Sequence, residues 1–357
     1  MTTSSADTEL PASRRRASVP TIYDVARAAG VSLGTASKAL NGRGKLRSET
    51  TERVQNAAER LGFRPNDLLL SVLRGSSQTV GLLTRDGSNS DPFSLALLSG
   101  IEDALATAEI SVFLCSARED AQRERQHINA LLAKRVDGIV VTGGRTDARS
   151  PIDLGTAHVP VIYAYMQATD PSALCLLPDD RHGARLATEH LVQHGRRHIA
   201  YIGGSPDYEA TGLRRDAFCQ TLGEYGIAIP QHRLLSGSWH GDWGYAATGL
   251  LLGRDSHIDA LYCGNDRIAQ GAIDALRDRG VRVPDDVAVV GYDNLEMIAG
   301  ATRPPLTSVD PGLQELGRQA GMWLLRMMDG EEGGGTHRLP CRLEIRHSCG
   351  CTGSAAY

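Results

Sequence analysis

A set of polar and aromatic residues lies at or just beyond predicted strand ends or at predicted helix starts, where ligands bind in α/β proteins. Carboxylates and asparagine can pair with hydroxyl groups, arginine binds bidentately, and aromatic faces cover the apolar side of a sugar or base. The set is Asp91, Phe93, Tyr163, Tyr165, Asp180, Arg214, Asp242, Trp243, Asn265, Asp266 and Asp293. Taken singly, each could be a helix cap or turn residue, and Tyr163 could be a core residue. Together they predict a polar cleft for a small molecule.

The sequence carries no catalytic motif in a suitable context. It has no GxSxG, P-loop or HExxH motif, and no GxGxxG follows the first predicted strand. Gly143-Gly144 and Gly203-Gly204 end predicted strands, where glycine turns are ordinary, so they are weak evidence for phosphate binding. No activated nucleophile accompanies the polar groups, so we expect binding rather than an enzyme.

The seven cysteines are an odd number and lie mostly in predicted strands or helices. This usage indicates a reduced compartment rather than a disulfide framework. Cys341, His347, Cys349 and Cys351 could in principle form a zinc quartet, but their spacing fits no common zinc motif. The sequence favours a frayed, reduced C-terminal tail, and no metal or other cofactor is expected.

A second stretch with functional chemistry is TIYDVARAAGVSLGTASKALN, residues 21–41, which has the pattern of two short helices joined at Gly30. Thr21 with Asp24 approximates a capping box, and Ser32 can cap the second helix. Apolar stripes are predicted at Ile22, Val25, Ala26 and Ala29, at Ala36, Ala39 and Leu40, and in a third helix at Val54, Ala57, Ala58 and Leu61. A third helix ending at Gly62 completes the arrangement of a helix-turn-helix unit, although glycine-turned helix pairs occur in other helical domains too.

The charge distribution favours a polyanionic partner for this N-terminal part. Residues 1–75 carry 12 Lys and Arg against 7 Asp and Glu, whereas residues 76–357 carry 26 against 35. A net charge of +5 therefore precedes a body of net charge −9. The second helix leaves Leu33, Gly34, Thr35, Ser37 and Lys38 on its outer side. Arg14 to Arg16, in a predicted disordered tail, could add phosphate attraction or be merely solvated.

Length and hydropathy bound the organisation of the chain. With 357 residues and 41% hydrophobic content, we expect at least two domains with packed cores. No run of 18 apolar residues exists, and the N-terminus lacks the apolar segment of a secretion signal. We therefore expect a cytoplasmic protein, nucleoid-associated if the helix-turn-helix unit binds DNA, with no membrane partner.

From about residue 79, short apolar runs alternate with helical patterns. Predicted strands are 79–83, 110–115, 136–141, 159–165, 173–177, 197–204, 260–263 and 286–292, and predicted helices are 94–108, 121–134, 181–194, 212–225 and 266–280. Such alternation predicts parallel sheets covered by helices on both faces. The pattern divides near 178–182, so two doubly wound lobes with a ligand cleft between them are expected.

These features resemble the LacI/GalR family of bacterial transcription repressors from Thr21 to about Cys349. Residues 21–41 look like the family's DNA-binding headpiece, and RPNDLLLSVLRGSSQTVGLL is similar to its hinge and first core strand. RVDGIVVTG, ATEHLVQHGRRHIAYIGG, NDRIAQGAIDALRDRGVRVPDDVAVVGYDN and PPLTSVD resemble successive core motifs. The resemblance implies an all-α helix-turn-helix headpiece on an α/β two-lobed core like that of periplasmic sugar-binding proteins. It also implies a homodimer on palindromic double-stranded operator DNA, controlled by a small-molecule effector.

The resemblance places the second helix in a major groove. Leu33, Gly34 and Lys38 match base-reading positions, Ser32, Thr35 and Ser37 are placed for phosphates, and Thr21 and Asn41 complete the expected contacts. Lysine can donate to guanine and leucine can pack on a thymine methyl. Gly34 departs from the larger polar residue often found there and predicts weak readout at one position.

PNDLLLSVLRG is similar to the hinge helix that the family inserts into the minor groove. Val72 occupies the register of the wedge residue and Leu73 lies beside it, and the sequence does not decide between them. The alternative is a buried dimer-contact helix without a wedge.

In the core, the resemblance transfers ligand contacts to Asp91, Phe93, Arg214, Trp243, Asn265, Asp266 and Asp293, and less directly to Asp180. Tyr163 is a further ligand candidate because of its place at a predicted strand end. Asp91 replaces a commoner asparagine and adds a carboxylate. GDW at 241–243 resembles a sugar-stacking tryptophan stretch, which favours a saccharide over a purine. No leucine heptad follows RLEIRHSCG, so a dimer is the simplest assembly.

The expected domains are a disordered tail (1–18), the helix-turn-helix domain (19–64), hinge and linker (65–78), core (79–350) and tail (351–357). The first lobe is expected at about 79–180 and 309–336, and the second at about 181–308 and 337–350. A solute-binding protein of sugar transport and an enzyme such as a sugar or nucleoside hydrolase are the competing hypotheses. Asp179-Asp180 is the enzyme's best acid–base pair, but adjacent residues on an extended segment point in opposite directions.

Overall fold

A computed structural model describes residues 20–40, 46–63, 76–85 and 92–351, with the side chains of 92–94 outside that description. The chain divides into two compact units, Met1–Ser77 and Gln78–Tyr357. Among the described residues, no helix combines the length and apolar character needed to cross a bilayer.

The first unit contains three helices, α1 (Ile22–Ala29), α2 (Leu33–Leu40) and α3 (Ser48–Leu61). The predicted capping box at Thr21 is present, and within it the Thr21 N–H donates to Asp24 Oδ2 at 2.9 Å. The Thr21 hydroxyl also donates to that oxygen, at 2.7 Å. Left-handed glycines end α1 and α3 as expected, at φ 61° for Gly30 and 63° for Gly62.

The helix stripes predicted from spacing form one small core. Val25, Ala36, Val54 and Ala57 are fully buried in it. Leu61 is the exception, since 37% of it is exposed and its assignment to the buried stripe is wrong. The reversal at Gly62 returns the chain towards the core, where Phe63 packs instead and donates its N–H to the Ala58 carbonyl.

In the second unit, the first lobe is built on a six-stranded parallel sheet. Its strands are β1 (Thr79–Thr84), β2 (Ser111–Ser116), β3 (Gly138–Thr142), β5 (Val161–Ala164), β7 (Leu174–Pro178) and β13 (Thr336–Leu339), in the order β13-β7-β5-β3-β1-β2. Helices α4 (Pro92–Ala106) and α11 (Leu313–Met328) share one apolar cluster with the sheet, and α5 (Ala121–Ala133) contributes to another. Gly100 and Gly317 let α4 and α11 approach closely, because a Cβ at either would meet the other helix's backbone. A two-stranded ribbon pairs β4 (Ala148–Arg149) with β6 (Gln167–Ala168).

The second lobe has its own six-stranded sheet. The strands are β8 (Ile199–Gly203), β9 (Leu234–Ser236), β10 (Ala260–Cys263), β11 (Ala288–Tyr292), β12 (Thr307–Asp310) and β14 (Arg342–Glu344), in the order β14-β12-β11-β10-β8-β9. Only the β12–β14 pair is antiparallel among these described strands. Helices α6 (Asp180–Gln193) and α7 (Glu209–Glu224) share one cluster, whereas α8 (Gly241–Arg254) and α9 (Asp266–Asp278) share another, and α10 (Glu296–Ala299) is a single turn.

The chain passes between the two sheets three times, after β7, after β12 and after β13. The first crossing falls where the division near 178–182 was predicted. β13 belongs to the first sheet and ends at Leu339, so this lobe extends past the expected boundary at 336. The sequence analysis predicted neither α8 nor α11.

Candidate DNA-reading helix and interlobe cleft

The outer face of α2 carries small or flexible side chains that are accessible in the first unit. Leu33 is 38% exposed, and Gly34 and Lys38 are exposed with it. Ser32 caps the helix as predicted, because its Oγ accepts the Thr35 N–H at 3.2 Å, and the two hydroxyl oxygens lie 2.9 Å apart. Thr21 is exposed next to α1, and Ser37 is partly buried. This face has the form of a protein surface that reads a groove through side chains rather than through a pocket.

Four of the predicted contacts, Asn41, Val72, Leu73 and Asp91, lie outside the described residues. Phe93 belongs to the first turn of α4, and its side chain also lies outside the description. Their assignment to DNA or ligand stays a prediction.

In the second lobe, Arg214 of α7 forms a buried ion pair with Asp180, the first residue of α6. Its Nε donates to Asp180 Oδ1 at 2.8 Å, and its Nη1 donates to the Gly264 carbonyl at 2.6 Å. The Tyr292 hydroxyl donates to the same Asp180 oxygen at 2.8 Å, and the guanidinium carbon lies 3.4 Å from the Tyr292 ring centroid. Asp293 completes the group, with Oδ1 4.0 Å from Arg214 Nη1.

Pairing is what permits this charge to be buried, since an isolated buried ion would cost several kcal/mol. Burial opposes the charged guanidinium, but Asp180, Tyr292 and Asp293 outweigh it and hold the pKa of Arg214 well above its usual value. Asp180 Oδ2 is buried and has no hydrogen-bond partner among the described residues. The group therefore presents a fixed positive charge and carboxylate oxygens suited to ligand hydroxyls.

The aromatic residue beside this group is Trp239, which the sequence analysis missed. Its ring lies edge-on to Tyr208, with centroids 5.5 Å apart at 67°, and its centroid is 5.8 Å from the Arg214 guanidinium. Asn265 fixes it by donating from Nδ2 to the Trp239 carbonyl at 3.2 Å. The signal available in the sequence was the tryptophan pair in GSWHGDW, of which Trp239 precedes α8.

Trp243, predicted as the stacking residue, lies inside α8 and is used internally. Its Nε1 donates to the Gly203 carbonyl at 2.9 Å, and its ring lies where a Cβ on Gly237 would be. Like Trp239, it packs against the apolar cluster of α8 and α9. The structure thus gathers Arg214, Asp180, Asn265 and Asp293 near Trp239 rather than near Trp243.

Asn265 and Asp266 sit together at the start of α9 but face different surroundings. Asn265 Oδ1 caps the helix by accepting the Ile268 N–H at 2.8 Å. Asp266 is fully buried and accepts from the Leu295 N–H at 2.7 Å and from the Ser308 hydroxyl. Burial raises the pKa of Asp266 to about 7. Asp266 therefore braces the segments after β11 and in β12 rather than joining the Arg214 group.

Tyr163 does not join that group either. It is buried in the first lobe, where its hydroxyl accepts the Ile152 N–H at 3.0 Å, and burial raises its pKa. The structure supports the core alternative for this residue.

Two residues not foreseen from the sequence connect the lobes at the edge of the cleft. Arg145, in the loop after β3, donates from Nη2 to the Asp207 carbonyl of the second lobe at 2.9 Å, and its guanidinium lies 3.9 Å from the Tyr208 ring centroid. Asp147 accepts the Glu209 N–H at 3.0 Å. Burial opposes ionisation of Asp147, but hydrogen bonds from the Arg145 guanidinium and from the Glu209 N–H outweigh it and lower the pKa of Asp147. Because Tyr208 also touches Trp239, the lobe contact and the aromatic residue are physically connected.

A cavity of about 640 Å³ also opens between the lobes. Asp293, Arg267 and Glu296 line it from the second lobe, and Ala96 and Gln314 are among the residues that line it from the first. Asp293 is common to this cavity and to the Arg214 group, whereas Arg214 and Trp239 are not in its described lining.

The C-terminal cysteines form neither the zinc quartet considered above nor a frayed end at Cys351. Cys341 Sγ is engaged with the Tyr292 hydroxyl at 3.3 Å and with the Asp179 carbonyl, and the imagined quartet with His347 is not assembled. Cys349, within the expected core, is buried, and Cys351, expected to begin the tail, is half-buried, so the chain is packed through residue 351.

Comparison with known families matches both units. Residues 21–66 match the model of bacterial regulatory proteins of the lacI family, and residues 77–347 match the periplasmic binding proteins and sugar binding domain of the LacI family. The chain belongs to the LacI family. The predicted fold class and family are confirmed, and the protein is a DNA-binding transcriptional repressor with a ligand-binding core.

Curated relatives include a catabolite control protein and transcriptional repressors. Catabolite control protein A of Priestia megaterium is 30% identical over 92% of this chain and 98% of its own length. The ribose operon repressor of Halalkalibacterium halodurans is 30% identical over 92% and 96%, and the repressor PurR of Mannheimia succiniciproducens is 29% identical over 84% and 89%.

Among solved structures, a lac repressor dimer bound to operator and the anti-inducer ONPF is 27% identical, with TM-score 0.78, covering 92% of this chain and 99% of its own. A complex of the transcriptional regulator CelR with cellobiose is 28% identical over the same shares, with TM-score 0.64.

Proposed function

We propose that this repressor binds a palindromic operator as a homodimer, and that a sugar bound between its lobes sets its operator affinity and thereby controls carbohydrate-use genes. The observation that carries the ligand part is the buried Asp180–Arg214–Tyr292 group with Trp239 beside it. It combines oriented hydrogen-bonding groups with an aromatic face, which is the usual composition of a small-molecule site.

A sugar fits this chemistry better than a purine. Asp180 and Asp293 offer carboxylate oxygens, and these accept hydrogen bonds from the hydroxyl groups in which a saccharide is rich. The CelR structure with cellobiose and the ribose operon repressor support this direction. The PurR relative keeps a purine or nucleoside as the second candidate, since an indole stacks on a base equally well.

The dimer is supported by apolar side chains left exposed on the first lobe. Strand β2 is an edge of its sheet, and it exposes Phe113 and Leu114. Leu95 on α4, which packs beside β2, is 70% exposed. An exposed edge strand with apolar neighbours is the kind of surface that a second copy covers. The related lac repressor structure is a dimer on operator.

The mechanism we propose is linkage between ligand and DNA. Arg145 and Asp147 already join the lobes through main-chain groups of the second lobe, and Tyr208 carries that contact to Trp239. A ligand that touches Trp239 and Arg214 would favour one lobe arrangement over another. A coupling of about 1 to 3 kcal/mol is usual for such two-site systems.

We expect no catalytic turnover in the cleft. Asp179 Oδ1 caps α6 by accepting the His182 N–H at 3.0 Å, while Asp180 is committed to Arg214. The two carboxylates thus have separate structural partners instead of a shared reacting atom. Conversion of a bound sugar that disappears in Asp180→Asn would contradict this assignment.

The ligand is tested by calorimetric titration of full-length protein with mono- and disaccharides and with purine bases and nucleosides. We expect one saccharide to bind per chain and the purines to give no heat of binding. Binding of a purine but of no saccharide would overturn the sugar assignment in favour of the second candidate.

A further inference from the structure

The side chains of His190, Cys349 and Cys351 converge in the second lobe, away from the groups used above. His190 lies near the end of α6 and is 4% exposed, and Cys349 is 2% exposed. One ring nitrogen of His190 and the two sulfur atoms all lie within 4.8 Å of one another. His190 Nε2 is 3.3 Å from Cys351 Sγ.

The main chain holds both cysteines at this place. Ser348 Oγ accepts the Thr307 N–H at 2.9 Å and donates to the Val289 carbonyl at 2.6 Å, which fastens the segment to the sheet. Gly350 then turns in a left-handed conformation, at φ 91°, that a residue with a Cβ rarely adopts. The Thr307 hydroxyl donates to Cys349 Sγ at 3.1 Å. Such a donor supports a thiolate from outside its coordination sphere.

We propose that His190, Cys349 and Cys351 bind one thiophilic metal ion of the Zn²⁺ type. Two thiolates and one imidazole form a recognised zinc ligand set that leaves a fourth position open. With metal–sulfur and metal–nitrogen bonds of about 2.3 and 2.0 Å, tetrahedral ligands lie roughly 3.5 to 3.8 Å apart. The observed separations reach those values with small side-chain movements.

The fourth position is accessible to water. Cys351 is half-buried, so water can approach from its side. His194 also lies nearby, with its ring centroid 4.3 Å from that of His190, and its Nδ1 donates to the His190 carbonyl at 2.7 Å. Water completes the coordination, because neither ring nitrogen of His194 lies within 4.8 Å of all three ligand atoms.

Burial acts differently on the two kinds of ligand in this cluster. Burial, with His194 adding to it, lowers the pKa of His190 to about 4, so the imidazole stays neutral and keeps a lone pair for a metal. Burial and the neighbouring Cys349 raise the pKa of Cys351 to about 12. A bound dication would supply the positive charge that two adjacent thiolates need.

Occupation of this site would fasten the C-terminal segment to α6. That helix begins at Asp180, the carboxylate paired with Arg214 in the cleft. Metal binding to the folded state alone would raise the stability of the second lobe by mass action. The inference does not depend on the identity of the cleft ligand or of the operator.

The test uses untagged, full-length protein freed of metal under reducing conditions. Titration with Co²⁺ should give thiolate-to-metal charge-transfer absorption and the strong ligand-field bands of tetrahedral cobalt, saturating at one ion per chain. Zn²⁺ should displace Co²⁺ and raise the melting temperature.

Matched variants locate the site. Cys351→Ser and His190→Gln should each weaken Zn²⁺ binding by roughly 100-fold and remove the melting shift. Cys219→Ser changes a half-buried cysteine of α7 outside the cluster and should bind as wild type. The proposal is overturned if wild type shows no thiolate-to-cobalt band, or if Cys351→Ser binds equally well. Recovery of a Cys349–Cys351 disulfide from freshly lysed cells would also overturn it, in favour of a redox pair.

Discussion

The outer face of α2 and the cleft around Arg214 are built in opposite ways. On α2, Leu33 and Lys38 are exposed, and neither is held in the core of the first unit. In the cleft, Arg214 is 3% exposed and already bonded to Asp180 and to the Gly264 carbonyl. The first surface acquires its partners from outside, whereas the second is assembled before any ligand arrives.

This difference predicts different responses to mutation. Removing an exposed side chain deletes one contact with a partner and leaves the fold intact. Removing one member of a buried pair leaves the other charge without compensation and affects stability as well as binding. Variants that separate stability from binding therefore test whether the two surfaces are as distinct as the structure indicates.

The largest effect is expected for Arg214→Met. Asp180 would remain buried without its partner, so the free energy of unfolding should fall by roughly 3 to 5 kcal/mol. Arg215→Met, which removes the exposed neighbouring arginine, is the control and should change stability little. The double variant Asp180→Leu with Arg214→Met should recover much of the stability but no ligand binding. Chemical denaturation measures all three, and an unchanged midpoint in Arg214→Met would contradict the buried-pair account.

The next effect is a pH dependence that Asp266 imposes on the second lobe. Burial raises the pKa of this carboxyl to about 7, so the folded protein keeps a proton that the unfolded chain releases from about pH 4 upwards. Folding stability from this group therefore falls as pH rises towards 7, by at most about 1.4 kcal/mol per pH unit, and then levels off.

Asp266→Asn should remove this slope. The unfolding free energy of wild type minus that of the variant should decrease from pH 5 to pH 7 and stay constant above pH 7. Asp274→Asn changes a partly exposed acid on the same helix and should keep the wild-type slope. If the unfolding free energies of wild type and Asp266→Asn changed in parallel with pH, the raised pKa of Asp266 would be contradicted.

Trp239 and Trp243 are close in sequence but have different partners. Trp239 lies beside the Arg214 guanidinium, whereas Trp243 donates a hydrogen bond to the Gly203 carbonyl. Trp243→Leu should lower the unfolding free energy by roughly 2 kcal/mol, because a packed indole and its bond to the Gly203 carbonyl are lost. Trp239→Leu should also lower the unfolding free energy, because its indole packs on the same apolar cluster and over Gly204, but it should in addition weaken ligand binding about tenfold by removing the aromatic face beside Arg214. Calorimetry and melting curves on both variants decide the matter. If Trp243→Leu were the one to lose ligand, the cleft would be wrongly placed.

On the α2 side, Lys38→Ala should lower the preference for operator over random DNA by about 1 to 3 kcal/mol. Arg60→Ala removes the same charge from the exposed side of α3 and should lower binding to both DNAs equally. Competition binding at fixed salt measures both preferences. An operator preference unchanged in Lys38→Ala would exclude the proposed groove contact.

The smallest effect concerns Gly34. A Cβ there would meet only Ser32 Oγ, at 4.0 Å, so Gly34→Ala should stabilise α2 by up to about 1 kcal/mol through helix propensity. Hydrogen exchange of the α2 amides in the full chain should slow accordingly. Gly30→Ala is the opposite control, because its φ of 61° disfavours a side chain. Faster exchange in Gly34→Ala would mean that the helix is strained at this position.

The helices of the headpiece and eight strands of the two lobes were accessible from the sequence because each leaves a local pattern. Ile22 to Ala29 follow the 3.6-residue repeat of a helix, and the predicted strands are short apolar runs. The sequence analysis did not predict strands β9, β12, β13 and β14 or the order of strands in either sheet. Helix α8 escaped this reading, since GDWGYAATGLLLGR contains four glycines and its apolar residues form no single stripe.

The cleft was only partly accessible because its members meet through tertiary contacts. Arg214, Asp180, Asn265 and Asp293 were predicted because they lie at predicted strand ends or helix starts. The sequence could not show which of the two tryptophans precedes α8 and lies beside Arg214. The ligands of the metal site show the same limit: His190 lies far from Cys349 and Cys351 in sequence, so only the fold brings them together.

The central claim is that cleft and operator are coupled, and selection of operator DNA tests it most directly. Full-length protein would be incubated with a random duplex pool at moderate salt, with and without the saccharide identified by calorimetry, and the retained DNA sequenced. The account predicts an enriched palindrome whose retention changes with the saccharide in wild type but not in the Asp180→Leu, Arg214→Met double variant. Folded protein that enriches no palindrome in either condition, or a palindrome whose retention ignores the saccharide, would contradict it.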